Sequence, residues 1–372
     1  MNAFVVAVGL VLLATGCGGS SDSNTITVQP GESIQAAVNA APAGSRIVVM
    51  PGEYVETHGG QAAVLVEKSL QLIGSREGGG AATILPGPGN TEGILVRGTA
   101  DAFIENVLIE GFTIDGFSEN GIWTYYVRDF EIRENNVGNS DHVGIYQQLS
   151  AQGLVRDNTA FGGRDSAMWV SGSESIRVLD NTFYGAPLGL QVNLSKDMEV
   201  ERTTAYDNVV GLALNHHLSS GLDDVSLGFG YLNESVRLAD SNAYDNNLPN
   251  PVSGGLVGQL PTGIGLLIAG HDGSYVENNT LTDNNYAGLA LIDWCLATGD
   301  TDPDCKPDDN TIVGNTITGN GSNPPDHPFA DLAGDVIVLG AGDNNCMADN
   351  IYDTEIGAGT IEQDSCPPWS EE

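Results

Sequence analysis

A five-residue segment that begins with a small residue recurs along the chain at nearly constant spacing. Its copies GIWTY, GIYQQ, AMWVS, GLQVN and GLALN begin at residues 121, 144, 167, 189 and 211. Their starts differ by 23, 23, 22 and 22 residues, and GLLIA and GLALI, which begin at 265 and 288, are again 23 apart. A unit of this length cannot bury its apolar side alone, so successive units must stack and share one core. The repeat therefore predicts a solenoid.

Asparagine recurs in phase with this segment. Asn135, Asn158 and Asn181 are spaced by 23 residues, and each stands three residues after a branched aliphatic residue. Amides at one turn position of successive coils can hydrogen-bond along the stack. We therefore interpret these asparagines as a structural ladder.

The alternation within each copy predicts which side chains face the core. Positions two and four are mostly apolar and should face inward, so positions three and five should face outward. We expect three outward rings, on Trp123, Tyr146 and Trp169, to form a column with a spacing of about 5 Å that stacks on sugar rings. The alternative is that the insertion at 249–255 covers this column. The candidate substrate-binding residues are Trp123, Tyr125, Tyr146, Gln148, Trp169, Gln191 and Asn193.

Ionisable residues precede the same three strands. Glu119, His142 and Asp165 stand two positions before the small residue, and Asp141 and Arg164 stand one position further back. A histidine between two carboxylates is stabilised as imidazolium and suits a general acid or base. We assign the acid–base role to His142 and Asp165, with Glu119, Asp141 and Arg164 in support. The alternative is a set of solvated turn residues.

The residues before the repeats predict a short helix over the open end of the stack. Within ITVQPGESIQAAVNAAPAGSRIVVMPGEYVE, residues 26–56, SIQAAVNAA has helical spacing, Ser33 is an N-cap and Pro42 a stop. This start, together with the repeats, resembles the right-handed parallel β-helix proteins of the pectate-lyase-like superfamily. The resemblance covers residues 26–360 and implies an all-β, single-stranded right-handed parallel β-helix with a capping helix. It implies no single activity, because this architecture carries lyases, hydrolases, epimerases and inert surface proteins.

The motifs of that superfamily match in part. Its polyuronate lyases display aspartate clusters at outward strand positions to hold calcium, whereas the outward positions here are aromatic, amide or small. Its alginate epimerases carry Asp-Pro-His-Asp, and this chain offers Ser140-Asp141-His142-Val143 and Pro325-Asp326-His327-Pro328. Only the central Asp-His pair matches in each.

The N-terminus resembles a bacterial lipoprotein signal. Residues 1–16 contain an apolar run that ends in small residues and precedes Cys17, whose equivalent is lipidated after cleavage in such proteins. An ordinary cleaved signal or a short membrane anchor is the alternative. We expect residues 17–25 to form a flexible tether and residues 26–372 to form one β-helix domain with a disulfide-pinned end. We expect the folded part to lie outside the cytoplasm, anchored to the bacterial envelope by lipid.

Four further cysteines belong to that oxidising compartment, which favours disulfides. Pairing by proximity joins Cys295 to Cys305 and Cys346 to Cys366. Asp300, Asp302 and Asp304, in the first of these loops, resemble the first three ligands of a calcium loop. A disulfide-closed, solvated acidic loop is the alternative. We therefore expect no required cofactor, with calcium as a candidate.

The net charge of the chain limits the classes of molecule that it can bind. With 49 acidic against 13 basic residues, the net charge is −36. Such a surface repels nucleic acid, anionic lipid headgroups and polyanionic glycans unless a cation bridges them. Two hypotheses remain. The protein binds and processes a neutral or cation-bridged polysaccharide, as a lyase, epimerase or hydrolase, or it is a non-catalytic envelope protein that binds a glycan or a protein.

Overall fold

The computed structural model describes residues 25–216, 234–255, 257–299 and 305–369. Within these ranges the chain winds into a stack of coils, and three parallel sheets run along the stack. A typical coil contributes one strand to each sheet in turn, so that strands about one repeat apart in sequence are neighbours. The predicted parallel solenoid is confirmed.

The strands divide among the sheets as follows. The first sheet has 12 described strands: Thr25–Val28, Ser45–Val49, Leu70–Gly74, Ile104–Glu110, Val127–Arg133, Ala151–Arg156, Glu174–Leu179, Lys196–Glu201, Glu234–Ala239, Ser274–Glu277, Thr311–Val313 and Cys346–Ala348. The second has 10 described strands: Gly52–Val55, Ala82–Leu85, Phe112–Asp115, Asn136–Gly138, Thr159–Phe161, Thr182–Tyr184, Thr204–Tyr206, Asn242–Tyr244, Thr280–Thr282 and Thr316–Thr318. The third has 11 described strands: Ala62–Val66, Glu92–Arg97, Ile122–Tyr125, Val143–Gln148, Ser166–Ser171, Leu188–Asn193, Val210–Asn215, Ile264–Ala269, Ala287–Ile292, Gly334–Leu339 and Glu355–Ile356.

Two α-helices lie outside the sheets in the described ranges. Helix α1, Ile34–Ala40, buries Ile34 and Val38, and the side chain of Ser33 accepts a hydrogen bond from the backbone of Ala36. The predicted capping helix and its N-cap are therefore confirmed. Helix α2, Trp294–Thr298, has Asp293 as its N-cap and Gly299, whose φ of 75° is left-handed, as its C-cap. Short 3₁₀ turns span Glu77–Gly79, Val257–Gln259, Ala330–Leu332 and Ala358–Thr360.

The coil interior follows the predicted alternation. Positions two and four of every copy from 121 to 215 are buried, which confirms the predicted register. Most of these side chains are aliphatic, and dispersion contacts along the stack hold them together. Two polar side chains also lie at these positions, those of Thr124 and Gln147, and the amide of Gln147 is fully buried in the interior.

The asparagine ladder is also confirmed. The backbone N and Nδ2 of Asn135 both donate to Oδ1 of Asn158, each over 3.0 Å. Asn158 donates in the same way to Asn181, over 2.9 and 3.1 Å. All three amides are buried, so each bond satisfies a polar group that water does not reach.

A second ladder runs along the turn before the third sheet. Its members are Asn208, Asn246, Asn284, Asn320 and Asp335. Oδ1 of Asp335 accepts from the backbone N and Nδ2 of Asn320, and Oδ2 accepts from the backbone of Asp353 and Thr354. Burial acts to raise the pKa of Asp335, but these hydrogen bonds outweigh it and hold the pKa below its ordinary value. The ladder therefore ends in an ionised carboxylate.

The disulfides join Cys295 to Cys305 and Cys346 to Cys366, the pairing that proximity in sequence favoured. The first closes the loop after helix α2, and the second ties the last strand of the first sheet to the C-terminal segment. Among the helices of the described ranges, none has the length and apolarity needed to cross a bilayer.

Candidate functional site

The outward aromatic column lies on the third sheet, where strand pairing sets Trp123 beside Tyr146 and Tyr146 beside Trp169. The three rings stack on one another. Trp123 and Tyr146 have centroids 6.0 Å apart with planes 12° from parallel, and Tyr146 and Trp169 are 4.9 Å apart at 16°. Outward placement of Trp169 is confirmed, since it lies outside the coil interior formed by Met168 and Val170.

This geometry corrects the expectation of open ring faces. Only 5% of Tyr146 and 9% of Trp169 is exposed, because each ring covers the face of its neighbour. The stack therefore presents ring edges to a ligand, apart from the half-buried Trp123 at one end. Leu248 and Val257, on either side of the insertion at 249–255, pack against the apolar cluster of the later coils, and Val257 lines the same cleft as Trp169.

His142 lies on the edge of this aromatic stack. Its ring centroid is 6.1 Å from that of Tyr146 and 5.9 Å from that of Trp169, with both rings nearly perpendicular to it. Nε2 of His142 lies 3.6 Å from Oδ2 of Asp165, and these side chains are 35% and 24% exposed. The structure thus brings the predicted acid–base pair onto the predicted aromatic column, where a ligand can reach it.

The other partner of His142 is a residue that the sequence reasoning missed. Nδ1 of His142 lies 3.1 Å from Oδ1 of Asn120. The backbone N of Asn120 donates to the buried carboxylate of Glu92 over 2.9 Å, and burial raises the pKa of Glu92. An amide oxygen can only accept here, so Nδ1 carries the proton and Nε2 is left to exchange a proton with a ligand.

The supporting residues occupy different places. Glu119 is exposed, and the ring of His142 contacts Asn120 on that preceding coil. The predicted carboxylate on both sides of the His142 ring is therefore corrected to one carboxylate and one amide. Asp141 and Arg164 form an exposed pair with Nε 3.8 Å from Oδ1. Such a solvated pair contributes little to stability.

Tyr146 has the strongest electrostatic perturbation in the column. Burial, reinforced by the negative charge of Asp165, raises the pKa of Tyr146 well above its ordinary value of 10. Its side chain therefore stays a neutral phenol at any physiological pH, and it can serve as a hydrogen-bond donor but not as a base.

The predicted amides extend the site along the stack. Nε1 of Trp169 donates to Oδ1 of Asn193 over 2.9 Å, and Gln191 accepts from the hydroxyl of Ser166 over 3.1 Å. Gln148 and Tyr125 lie half-buried at the outer position five. Within the described ranges, Nε1 of Trp123 and Nδ2 of Asn193 are buried donors with no acceptor.

Beyond Trp169 the outer wall becomes a cleft of about 340 Å³. Asp165, Trp169 and Gln191 line its near end, so it adjoins the His142 site. After Gln191, the outward third position of the successive strands is occupied by Ala213, Leu267, Ala290 and Ile337.

The remaining predicted site residues cannot be compared with the structure. Cys17 and the candidate calcium ligands Asp300, Asp302 and Asp304 lie outside the described residues. Asp293, Cys295 and Cys305 come close together, but both sulfurs belong to one disulfide and cannot act as thiolate ligands.

A family model agrees with this architecture. The model described as "Right handed beta helix region" matches residues 87–227. This range includes the aromatic column and the site residues Asn120, Gln148, Gln191 and Asn193. The chain folds as a right-handed parallel β-helix. Comparison with curated proteins finds no match.

Solved structures extend the likeness over most of this β-helix. The A-module of the Azotobacter vinelandii mannuronan C-5 epimerase AlgE4 is 19% identical, with a TM-score of 0.64 over 85% of this chain and 82% of that one. The DFA-IIIase of Arthrobacter chlorophenolicus A6 without its lid is 12% identical, with a TM-score of 0.58 over 89% of each chain. A tailspike mutant of E. coli bacteriophage HK620, in complex with a pentasaccharide, is 12% identical, with a TM-score of 0.54 over 91% of this chain and 63% of that one. At these identities the likeness establishes the fold alone.

Proposed function

We propose that this β-helix protein binds a polysaccharide on the outer wall of the third sheet and processes it by acid–base chemistry at His142 and Asp165. The observation that carries the proposal is the 3.6 Å approach of these two accessible side chains on the edge of the aromatic stack. The names of the structural neighbours support the substrate class, since they include a mannuronan epimerase and a tailspike with a bound pentasaccharide.

The geometry gives each group a role. His142, with its proton on Nδ1 held by Asn120, accepts a proton from the sugar at Nε2. Asp165 then stabilises the imidazolium so formed. Tyr146 remains a neutral phenol and takes no proton from the sugar. A lyase and an epimerase use such a proton transfer from the sugar, whereas in a hydrolase His142 would take the proton from an attacking water.

The substrate and location complete the proposal. A chain with a net charge of −36 takes a neutral glycan, or an anionic one only when calcium or another cation bridges the two. We place the protein outside the cytoplasm, anchored through lipid on Cys17, on the strength of residues 1–17.

A glycan array followed by product analysis tests this function. The protein is applied to neutral and anionic polysaccharides with and without calcium, and every bound glycan is then assayed for new reducing ends, unsaturated sugars and inverted carbons. We expect binding and product from the native chain, and binding without product from His142→Ala. Binding without product by the native chain under all conditions would instead favour a non-catalytic glycan-binding protein.

A further inference from the structure

The later coils of the third sheet are apolar on both faces. Strands Ile264–Ala269 and Ala287–Ile292 are buried on their inner and outer sides, apart from the half-buried Ile292. Strands of this kind require a cover on their outer side. Helix α2, the segment that contains Leu260 and the segment that contains Phe329 form walls around this surface, but a cleft of about 340 Å³ remains between them.

The cleft is open to solvent at an apolar rim. Leu296 is 65% exposed and Phe329 is 50% exposed, and both line the cleft. Few large hydrophobic side chains in the described ranges are this exposed, and exposed apolar rims commonly mark binding grooves. The volume lies within the range of roughly 300–1,000 Å³ that is typical of small-molecule sites.

The lining excludes a sugar from the middle of the cleft. Leu267, Ala290 and Ile337 form its floor, and they offer no polar side chain to a hydroxyl group. Burial of unpaired hydroxyls costs several kcal/mol, so a carbohydrate ring would be unfavourable there. On this floor, polar side chains lie near Trp169 at one end, where Asp165 and Gln191 line the cleft, and near Trp294 four coils further along the stack. Gln259 and His327 line the cleft from its walls, and the hydroxyl of Tyr286 donates to the backbone of Phe329. This pattern suits a hydrocarbon chain whose polar head lies at one end.

The charges select the kind of head group. Asp165 lines the end nearer His142 and Asp293 lies beside Trp294, so a carboxylate or phosphate would meet a negative charge at either end. A neutral sugar, by contrast, can donate its hydroxyls to the carboxylate of Asp165. That end of the cleft is also continuous with the proposed carbohydrate site, because Asp165 contacts His142.

We propose that the cleft binds the hydrocarbon chain of a neutral glycolipid, with the sugar beside Asp165. The position of the sugar rests on the proposed function, whereas the binding of the chain rests on the cleft alone. The glycan acted on at His142 would then be one that carries a lipid.

Tryptophan fluorescence tests the position of the chain. Trp169 and Trp294 line opposite ends of the cleft, and dodecyl maltoside with a bromine on its terminal carbon quenches only rings that it contacts. We expect the full chain, titrated below the micelle concentration, to show saturable quenching, and Trp294→Phe to remove most of it. Unchanged quenching in Trp294→Phe would overturn the proposal.

Two variants and two ligands test the site itself by calorimetry. Ala290→Phe fills the floor of the cleft and should weaken dodecyl maltoside binding at least tenfold, whereas Ala102→Phe, on an exposed bridge residue, should not. If Ala290→Phe does not fold, Leu296→Gln on the exposed rim should still weaken binding about threefold. Maltose alone should not bind the cleft, and dodecanoate should bind at least tenfold more weakly.

Three results would overturn the proposal. These are equal binding by Ala290→Phe, dodecanoate that binds as tightly as dodecyl maltoside, and a dimer of the protein that dissociates when the maltoside is added. The last would assign the cleft to a second copy of the chain. The quenching experiment needs no turnover of polysaccharide, so an absence of enzymatic product would affect the proposed function and leave this test unchanged.

Discussion

Nε2 of His142 lies 3.6 Å from Oδ2 of Asp165, although the two residues are 23 positions apart in the chain. The coil brings them together because one repeat of sequence returns the chain to the same side of the neighbouring rung. A single repeat period therefore positions the acid–base pair.

Removal of the side chain of His142 or Asp165 should lower kcat much more than it lowers the affinity for the polysaccharide. We expect His142→Ala and Asp165→Asn each to lower kcat by about 10²–10⁴, the usual contribution of a positioned acid or base. Steady-state kinetics and equilibrium binding of the same polysaccharide measure the two effects. Glu105→Gln, which makes the same carboxylate-to-amide change at an exposed position, is the matched control. A kcat unchanged in His142→Ala would remove His142 from the mechanism.

Asn120 should act as a positioning residue through His142. Asn120→Ala removes the acceptor for Nδ1 and should lower kcat by about tenfold or more, because the ring can then rotate or change tautomer. Asn120→Asp keeps an acceptor and should restore much of kcat, while the added negative charge shifts the acid limb of the activity profile to higher pH. If both variants lose the same activity with the same pH profile, the role of Asn120 is structural only.

Trp169 should contribute to stability as well as to the site. Trp169→Ala removes a ring stacked on Tyr146 and leaves Oδ1 of Asn193 without its donor, so we expect a loss of about 3 kcal/mol in the free energy of unfolding. Trp169→Phe keeps an aromatic ring and should lose only about 1 kcal/mol, the usual net contribution of one hydrogen bond. Urea denaturation measures both values, and equal losses would show that the hydrogen bond dominates.

Gln147 should be a destabilising residue. Its Oε1 and Nε2 are buried in the coil interior, and neither has a hydrogen-bond partner within the described ranges. Gln147→Leu removes this unsatisfied amide, and we expect a gain of about 1–3 kcal/mol in the free energy of unfolding. Gln71→Leu, at an exposed strand position, should change it by less than about 0.5 kcal/mol. A loss of stability in Gln147→Leu would mean that the amide is satisfied in solution.

His271 should make folding sensitive to acid. Its complete burial, together with the nearby His216, lowers the pKa of His271 from 6.5 to about 3. Below about pH 6.5 the unfolded chain takes up a proton that the folded chain does not, so stability is complete above that pH and falls as the pH decreases toward 3. The slope is at most about 1.4 kcal/mol per pH unit for this group.

Urea denaturation between pH 7 and pH 5 measures this dependence. His271→Asn should reduce the slope, while His58→Asn, at an exposed position, serves as the control. An identical pH dependence in native protein and His271→Asn would contradict the prediction.

The period of the repeat was sufficient to predict the fold, the inward and outward positions and the column that joins Trp123, Tyr146 and Trp169. It could not predict that these rings would stack and bury one another's faces, because strand register does not set the tilt of a side chain. Asn120 was missed for a similar reason, since its contact with His142 crosses between turns whose conformation the repeat does not fix.

The cleft was missed although the sequence carried a signal for it. The outward residues Ala213, Leu267 and Ala290 are as apolar as their inward neighbours, which indicates strands covered on both faces. The cover itself comes from segments such as helix α2 and the residues around Phe329, which belong to no repeat. Their packing depends on contacts that a periodic pattern does not encode.

Asp335 lies at the end of the second asparagine ladder toward which all its side-chain hydrogen bonds are donated. The side chain of an asparagine accepts a hydrogen bond from one rung and donates one to the next, whereas an ionised carboxylate only accepts. The row of side-chain hydrogen bonds therefore ends at this residue. Coils inserted upstream of Asn320 could extend this ladder, whereas the side chain of Asp335 has no proton to donate to a further coil, and its backbone N–H already donates to Oγ1 of Thr354. One carboxylate thus fixes the C-terminal end of the side-chain ladder.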